Sequence, residues 1–407
     1  MTKKLLLFAA LFPLLSLSQG YQVNLQGQVS QAMGGAGLAM TEDGSSLFFN
    51  PGASAFIEKN EVSLNFTPTF ANGTFLEAKT NNLAHTVSPM GTPFSAYGLF
   101  HLKDSSSLKL GMAVYTPFGS TVEWEDGWEG RFALKRLQLM SIFFQPTVSY
   151  KISDKIGLGV GLIYTYGKVN LQKDLPLQFE DDGSYGTAEL AGTSHGFGYN
   201  AGIYFNATDK LKFALTYRSR IDMNVKKGQA TFTVPSSLED KFPSGEFSAS
   251  LPLPSVVSLG TVVNATDKLL LALDINYTNW SVYDTLGFDY AVNTESLEDT
   301  RSPRMYEAAF AFRLGAQYDV TDKFKARIGV SFAQTPSLDD YVTPESPDAD
   351  RISYTIGLGY AITKKISLDA SLLYTQLERE ATNQETQLSG TFKTIVFAPG
   401  IQFNYTF

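Results

Sequence analysis

Residues 156–167 read Ile-Gly-Leu-Gly-Val-Gly-Leu-Ile-Tyr-Thr-Tyr-Gly, and their alternation decides the architecture. Ile156, Leu158, Val160, Leu162, Tyr164 and Tyr166 fall on one face of an extended chain, while Gly157, Gly159, Gly161, Thr165 and Gly167 take most of the other. The same period of two sets Phe324, Ala326, Ile328, Val330 and Phe332 against Lys323, Lys325, Arg327, Gly329 and Ser331. It also sets Ile352, Tyr354, Ile356, Leu358 and Tyr360 against Ser353, Thr355, Gly357 and Gly359. One face is apolar and aromatic throughout; the other is small, polar or charged. A soluble sandwich alternates too, but its strands usually run about five or six residues. Runs of roughly ten to fifteen with aromatic ends match tilted strands that cross a bilayer, for which about 9–11 residues suffice.

Outward from this stretch, one small turn recurs five times: Ser153-Asp154-Lys155, Thr208-Asp209-Lys210, Thr266-Asp267-Lys268, Thr321-Asp322-Lys323 and Thr363-Lys364-Lys365. Each precedes alternating apolar residues, as the tight connection of a hairpin does. The first four lie 55, 58 and 55 residues apart, the length of two strands plus one long loop. Long connections are expected at 71–92, 118–136, 171–193, 225–246, 283–303, 335–350 and 379–390, and short ones at 103–106 and at the five turns. Seven long and six short connections join fourteen strands, an even number that closes an antiparallel barrel with both ends on the short-turn, periplasmic side. The last strand alternates Ile401, Phe403, Tyr405 and Phe407, and its terminal aromatic resembles the signal read by the assembly machinery of outer-membrane barrels.

Lys3 and Lys4, the apolar run Leu5 to Leu17 and the small residues Ser16 and Ser18 read as a secretory signal peptide over residues 1–20, cleaved between Ser18 and Tyr21. The sequence has no cysteine, which removes a lipoprotein anchor, disulfides and thiolate chemistry. Without Lys3 and Lys4, 30 basic residues face 40 acidic ones, a balance that argues against nucleic acid as partner. No linker interrupts the repeating grammar from Asn60 onward, so residues 60–407 are expected to form one barrel. The expected surroundings are outer-membrane lipid and lipopolysaccharide, with the chain a monomer, and neither a cofactor nor a metal is indicated.

Residues 21–59 do not alternate. They carry Met33-Gly34-Gly35-Ala36-Gly37-Leu38-Ala39, Thr41-Glu42-Asp43-Gly44-Ser45-Ser46 and Asn50-Pro51-Gly52-Ala53, small residues and turn formers suited to short helices packed in a confined space. A phosphate-cradling reading lacks the preceding strand and the following lysine. A plug in the barrel lumen fits better, and it accounts for the glycine stripe facing inward from the fifth strand.

Gly20-Tyr21-Gln22-Val23-Asn24, the Gly-Ala-Gly-Leu-Ala run and Asn50-Pro51 resemble the amino-terminal hatch of the FadL-type outer-membrane transporters of long-chain fatty acids and other hydrophobic compounds. Gly196-Phe197-Gly198-Tyr199-Asn200-Ala201-Gly202, Leu215-Thr216-Tyr217-Arg218-Ser219, Leu251-Pro252-Leu253-Pro254, Tyr277-Thr278-Asn279-Trp280-Ser281 and Pro347-Asp348-Ala349-Asp350-Arg351 extend the resemblance along the chain. It implies a fourteen-stranded barrel with a hatch, an apolar groove and deeper cavity, and sideways release at an inward kink of the third strand. Tyr115-Thr116-Pro117-Phe118-Gly119 stands at that place, with Pro117 unable to donate a ladder bond and Gly119 beside it.

The resemblance also implies basic side chains that meet a carboxylate, near the end of the fifth strand and before the tenth. Lys168 and Lys173 stand near the first position; at the second Glu307 replaces the expected lysine, with Arg304 nearby. Lys212, Arg218, Arg220, Asp274, Arg327 and Asp369 fall opposite apolar positions and are expected in a polar lumen, with Arg218 a candidate for substrate contact. Phe118, Trp124, Trp128 and Phe132 are candidates for the outer substrate groove, since four aromatics in one exposed loop need a ligand, membrane or neighbouring loop to cover them. Burying about 14 methylenes is worth roughly 11 kcal/mol at most, far above the net worth of an ion pair, so the apolar tunnel decides binding. A lipid hydrolase is the rival enzymatic reading, resting on His85, His101 and His195 as imidazole bases without an evident partner. An open pore or adhesin is the other, and the plug-like amino terminus argues against it.

Overall fold

The structure is a computed structural model that describes residues 20–102 and 106–407. The expected signal peptide, apart from Gly20, and most of the short connection at 103–106 lie outside the described residues. Fourteen strands close into one antiparallel barrel. They are β1 (Glu61–Phe66, resumed at Phe70–Glu77), β2 (Leu83–His85 and Phe94–His101), β3 (Leu108–Tyr115 and Gly119–Glu123), β4 (Arg136–Lys151) and β5 (Ile156–Gln178). Then come β6 (Tyr185–Thr208), β7 (Leu211–Arg218 and Ile221–Thr233), β8 (Gly245–Leu253 and Val256–Asn264), β9 (Leu269–Thr278 and Thr285–Tyr290) and β10 (Thr300–Pro303 and Ala309–Asp319). β11 (Phe324–Ala333), β12 (Arg351–Ala361), β13 (Ile366–Thr382) and β14 (Ser389–Thr406) complete the circuit. β1 closes it on β14, with Glu61 opposite Thr406 and Phe66 opposite Ile401.

All five repeated turns use one device. The hydroxyl of the first residue accepts the N–H groups two and three positions on: Thr208 from Lys210 and Leu211, Thr266 from Lys268 and Leu269, Thr321 from Lys323 and Phe324, Thr363 from Lys365 and Ile366. Ser153 does the same for Lys155 and Ile156. Such side-chain bonds let a short chain reverse without leaving donors empty.

Outward positions are apolar and open, with Leu162 at 66% and Ile328 at 61% exposure, as a lipid-facing surface requires. Several strands run past their expected ends. The connection at 171–193 is mostly strand, because β5 reaches Gln178 and β6 starts at Tyr185. That continuation has no lipid-facing side, so the apolar alternation that marks the lower strands fades while the hydrogen-bond ladder persists.

A second departure is a change of face. Arg218 lies opposite Val256 and Ile221 opposite Leu253, so two residues on each strand stand unpaired between them. Inward positions of β7 are even-numbered below this break (Ala214, Thr216) and odd-numbered above it (Ile221, Met223, Val225). Arg220, expected in the lumen, therefore sits exposed and pairs with Asp222 at 2.7 Å.

Residues 24–57 pack inside the barrel. Helix α1 (Gln28–Ala32) lies against β11 to β14, α2 (Ser46–Phe49) against β3, and the short 3-10 turn Ala53–Phe56 against β3 to β6. The inward glycines leave room for this backbone. A Cβ on Gly159 would lie 2.3 Å from the Pro51 carbonyl, one on Gly157 2.4 Å from the Gly52 oxygen, and one on Gly202 2.1 Å from Asn50 Oδ1. Gly34 and Gly35, at φ +71° and +84°, turn the chain where Gly329 approaches Gly34 N within 2.0 Å of its missing Cβ. Asn50 is wholly buried; its Nδ2 donates to Leu38 O and Ile203 O at 3.0 and 3.1 Å, and its Oδ1 accepts from Gly52 N at 2.9 Å.

Polar inner positions meet this segment in the same way. Asp274 accepts from Gly37 N and Leu38 N at 2.7 and 3.0 Å, Gln402 from Gln28 N at 2.8 Å, and Arg218 donates to Phe48 O at 2.9 Å. Arg327 and Asp369 pair at 2.7 Å, both buried.

Candidate transport site

Strand interruptions at similar height in β3, β7, β8, β9 and β10 shape the interior above the packed segment. At the β9 interruption a 3-10 turn, Trp280–Val282, carries Trp280 into the core with no exposed surface. Tyr283 and Tyr306 follow from the same interruptions and meet edge-to-face at 5.0 Å. Tyr21 closes the cluster, its ring 5.0 Å from Trp280, 5.7 Å from Tyr283 and 6.5 Å from Phe118. Offset aromatic pairs of this kind add about 0.5–1.5 kcal/mol each beyond area burial.

Above these rings lies an apolar cavity. Its wall is Leu137, Leu139, Val169, Leu171, Met223, Val225, Leu251, Leu253, Leu286 and Phe288, with Tyr21, Phe118, Tyr283 and Tyr306 as floor. Polar groups gather at one end, where Arg304 Nη2 donates to Glu345 Oε1 at 2.8 Å. Burial works against the Arg304 charge, but Glu345 holds its pKa above the ordinary value; burial pushes the Tyr306 hydroxyl well up.

The second feature is a gap in the wall. β2 and β3 are paired up to Ser95 opposite Tyr115 and meet again at Thr86 opposite Trp124. Among the described residues no ladder pair joins them in between. β2 instead turns back on β1, with Gly91 and Thr69 exchanging bonds of 2.8 and 2.9 Å. β3 bends inward and pairs with the amino-terminal segment: Val23 N donates to Pro117 O at 2.8 Å and Gly119 N to Tyr21 O at 3.3 Å. Pro117 has no N–H to offer the missing neighbour, and its oxygen is the acceptor that the inward bend uses. A cavity of about 650 Å³ occupies the gap, lined by Ser88, Met90, Thr92, Phe118, Ser120 and Val122. It shares Tyr21, Phe118, Ser120, Leu139, Met140, Ser141, Glu345 and Ser346 with the inner cavity, so two rings, short stretches of β3 and β4 and the loop at Glu345 separate the spaces.

The structure sorts the residues singled out from sequence. Phe118 lies on the boundary of both cavities, 4% exposed. Trp124 and Trp128 are not open groove residues: they stack at 4.3 Å and are covered by Phe75, Leu134, Val342 and Phe392, the neighbouring-loop cover the sequence leaves open. Trp124 still borders the wall cavity, whereas Phe132 rests against Tyr185 at 5.0 Å. Lys168 is exposed on the outward face of β5, off the cavity, because inward positions there are odd-numbered. Lys173 is inward, near Glu345 and Glu385. Arg218 lies below the apolar cavity, held by Tyr115 Oη at 2.6 Å and Phe48 O at 2.9 Å. Gln22 and Asn24 border the polar spaces beside the packed segment, and Glu307 is exposed.

Tyr283 and Tyr306 in the cavity floor, and Trp280 packed beside them, do not stand out in the sequence. The signals are the turn-forming Asn279 and the Leu-Pro-Leu-Pro run at 251–254, which break strands at matching height. His85, His101 and His195 are scattered: His195 Nδ1 bonds Tyr164 Oη at 2.8 Å on the outer face, His101 meets Asn60, and His85 N bonds Glu125.

A closed fourteen-strand barrel with a lipid-facing belt, a packed lumen and an apolar interior cavity is an outer-membrane transport barrel. The chain belongs to the family described as Outer membrane protein transport protein (OMPP1/FadL/TodX), whose model matches residues 10–407. It is 23% identical over 390 residues to the 47 kDa outer membrane protein of Pasteurella multocida, covering 91% of this chain and 89% of that one. It is 22% identical over 439 residues to the long-chain fatty acid transport protein of Escherichia coli, covering 96% and 95%. A Pseudomonas aeruginosa FadL homologue superposes with TM-score 0.83 at 20% identity, over 95% of this chain and 99% of that one. The Pseudomonas putida toluene transporter TodX gives 0.73 at 16% identity, over 96% and 99%. The protein resides in the outer membrane and is a transporter of this type.

Proposed function

We propose that the barrel takes up hydrophobic compounds through the apolar cavity beneath its outer loops and releases them sideways through the gap between β2 and β3. The observation that carries this reading is the position of the unpaired wall directly beside the cavity, with Tyr21, Phe118, Ser120, a short stretch of β4 and the loop residues Glu345 and Ser346 lining both spaces. Residues 24–57 act as a hatch: they fill the lumen below, where polar contacts and close-packed glycines leave an apolar molecule no downward route of matching chemistry. An apolar solute loses nothing by passing from such a cavity into lipid, whereas a step into water costs about 0.8 kcal/mol per methylene exposed. Passage is passive, down the gradient that the bilayer's capacity for apolar solute maintains. The compounds for which two of these relatives are named, a long-chain fatty acid and toluene, are of this apolar kind.

The test is extraction of the purified barrel and mass spectrometry of what it carries. A defined apolar molecule at near-stoichiometric amount supports the reading. Steady ohmic conductance of small ions through the reconstituted barrel contradicts it and favours an open pore.

A further inference from the structure

The polar end of the cavity is electrically closed. Arg304 projects from the interruption between the two parts of β10, 7% exposed, and its Nη2 donates to Glu345 Oε1 at 2.8 Å. Its Nη1 donates to Ser302 Oγ and, at 3.3 Å, to Pro303 O. Ser302 Oγ in turn donates to Glu385. Lys173, the other inward cation near this end, has Glu385 and Glu345 for its electrostatic partners. Two cations thus face two carboxylates, which leaves no net positive charge at this end among the described residues; Arg304 and Glu345 line the cavity itself, and Nε is the one nitrogen of the Arg304 guanidinium without a hydrogen-bond partner.

We propose that the cavity admits uncharged apolar molecules and turns away carboxylate anions, with Glu345 as the specificity-determining residue. The inference rests on the reading of this cavity as the transport site and names the class of cargo it takes. A carboxylate entering here would stand against Glu345 in a space walled by aliphatic side chains, with Glu385 behind it, and like charges within a few ångströms repel strongly. Its remaining course is to enter as the neutral acid. At pH 7 a carboxyl with an ordinary pKa near ~4.5 is roughly 300-fold more often ionised than not, which sets the expected handicap. A neutral polar end meets no such barrier, and the buried Tyr21 hydroxyl, which lines the cavity without a protein partner, is a donor for an alcohol or carbonyl oxygen.

The experiment displaces pyrene, an uncharged fluorescent probe, from the purified full-length barrel at pH 7 with dodecanol or dodecanoate, which share one chain length. Dodecanol is expected to compete at roughly 300-fold lower free concentration than dodecanoate. Glu345→Gln frees Arg304 and is expected to improve dodecanoate competition by about tenfold or more while leaving dodecanol within about twofold. The double variant Arg304→Gln with Glu345→Gln removes both charges and returns dodecanoate to weak competition, which guards against a loop rearrangement mimicking the gain. Equal competition by the two ligands in the wild type, or no gain for dodecanoate in a Glu345→Gln barrel that keeps its heat-modifiable mobility, overturns the proposal. Failure of pyrene to bind overturns the transport site itself and the proposal with it, an outcome distinct from either.

Discussion

Replacing Asn50 with alanine should loosen the hatch and leave the barrel standing. Its side chain links three points of the interior: the Leu38 carbonyl at 3.0 Å, the Ile203 carbonyl of β6 at 3.1 Å, and the Gly52 N–H at 2.9 Å. All three contacts lie where Asn50 has no exposed surface, so no water takes the place of the missing amide. Each lost bond costs about 1 kcal/mol, and up to ~3 where the partner is left buried and unsatisfied; three bonds give roughly 3 kcal/mol for Asn50→Ala. That figure applies to local opening of the segment around residues 38–55, because the barrel's own ladders are untouched. Local opening should rise by about a hundredfold, read as faster deuterium exchange of those amides with unchanged heat-modifiable mobility of the barrel. Asn50→Asp should be worse, since it sets carboxylate oxygens against two carbonyl oxygens in place of two donors. Wild-type protection across residues 38–55 in Asn50→Ala would refute the assignment of this side chain as the pin of the hatch.

Two further outcomes follow from the ends of the chain. Deleting Phe407 removes a ring stacked on Tyr405 at 5.6 Å and an N–H bonded to Asn60 O at 3.1 Å, and should leave protein in the periplasm; normal membrane abundance of the truncated chain contradicts its role in assembly. Burial lifts the Asp348 carboxyl, which accepts from Thr335 Oγ1 at 3.1 Å, to about 6. A carboxyl whose folded pKa is raised binds its proton more tightly closed than open, so this tether should weaken as pH climbs from about 4 to about 6 and stay level above. Exchange of amides in residues 335–350, corrected for intrinsic rate, should show that slope, and Asp348→Asn should reduce it to the part that Asp350, which burial lifts to about 7, contributes.

Period-two alternation was enough to count the strands, because lipid imposes an apolar residue at every second position of a spanning strand. The five hydroxyl-led turns were legible for a local reason: Ser153 and its four threonine counterparts satisfy two backbone donors within their own turn. The glycine stripe of β5 pointed to a close neighbour, and the Pro51 backbone is that neighbour. What the pattern concealed depends on breaks in it. Two unpaired residues on β7 and two on β8 reverse the inward face, which put Arg220 on the wrong side and hid Met223 and Val225 as cavity lining. Composition marked the aromatic loop, but not that Trp124 and Trp128 would stack on one another beneath Phe392. The pairing of Arg304 with Glu345, 41 residues away, left no local trace.

The central claim is that apolar cargo leaves through the wall between β2 and β3, and the absence of cysteine makes a direct measurement available. Thr92 is exposed and lines the gap cavity but not the inner cavity. A Thr92→Cys barrel can be capped with a bulky thiol reagent through a reducible disulfide, and uptake of an apolar substrate followed before capping, after capping and after reduction. Uptake should fall several-fold on capping and return on reduction, with pyrene binding to the inner cavity unchanged throughout. Full uptake by a stoichiometrically capped barrel would contradict lateral release and redirect the route through the hatch.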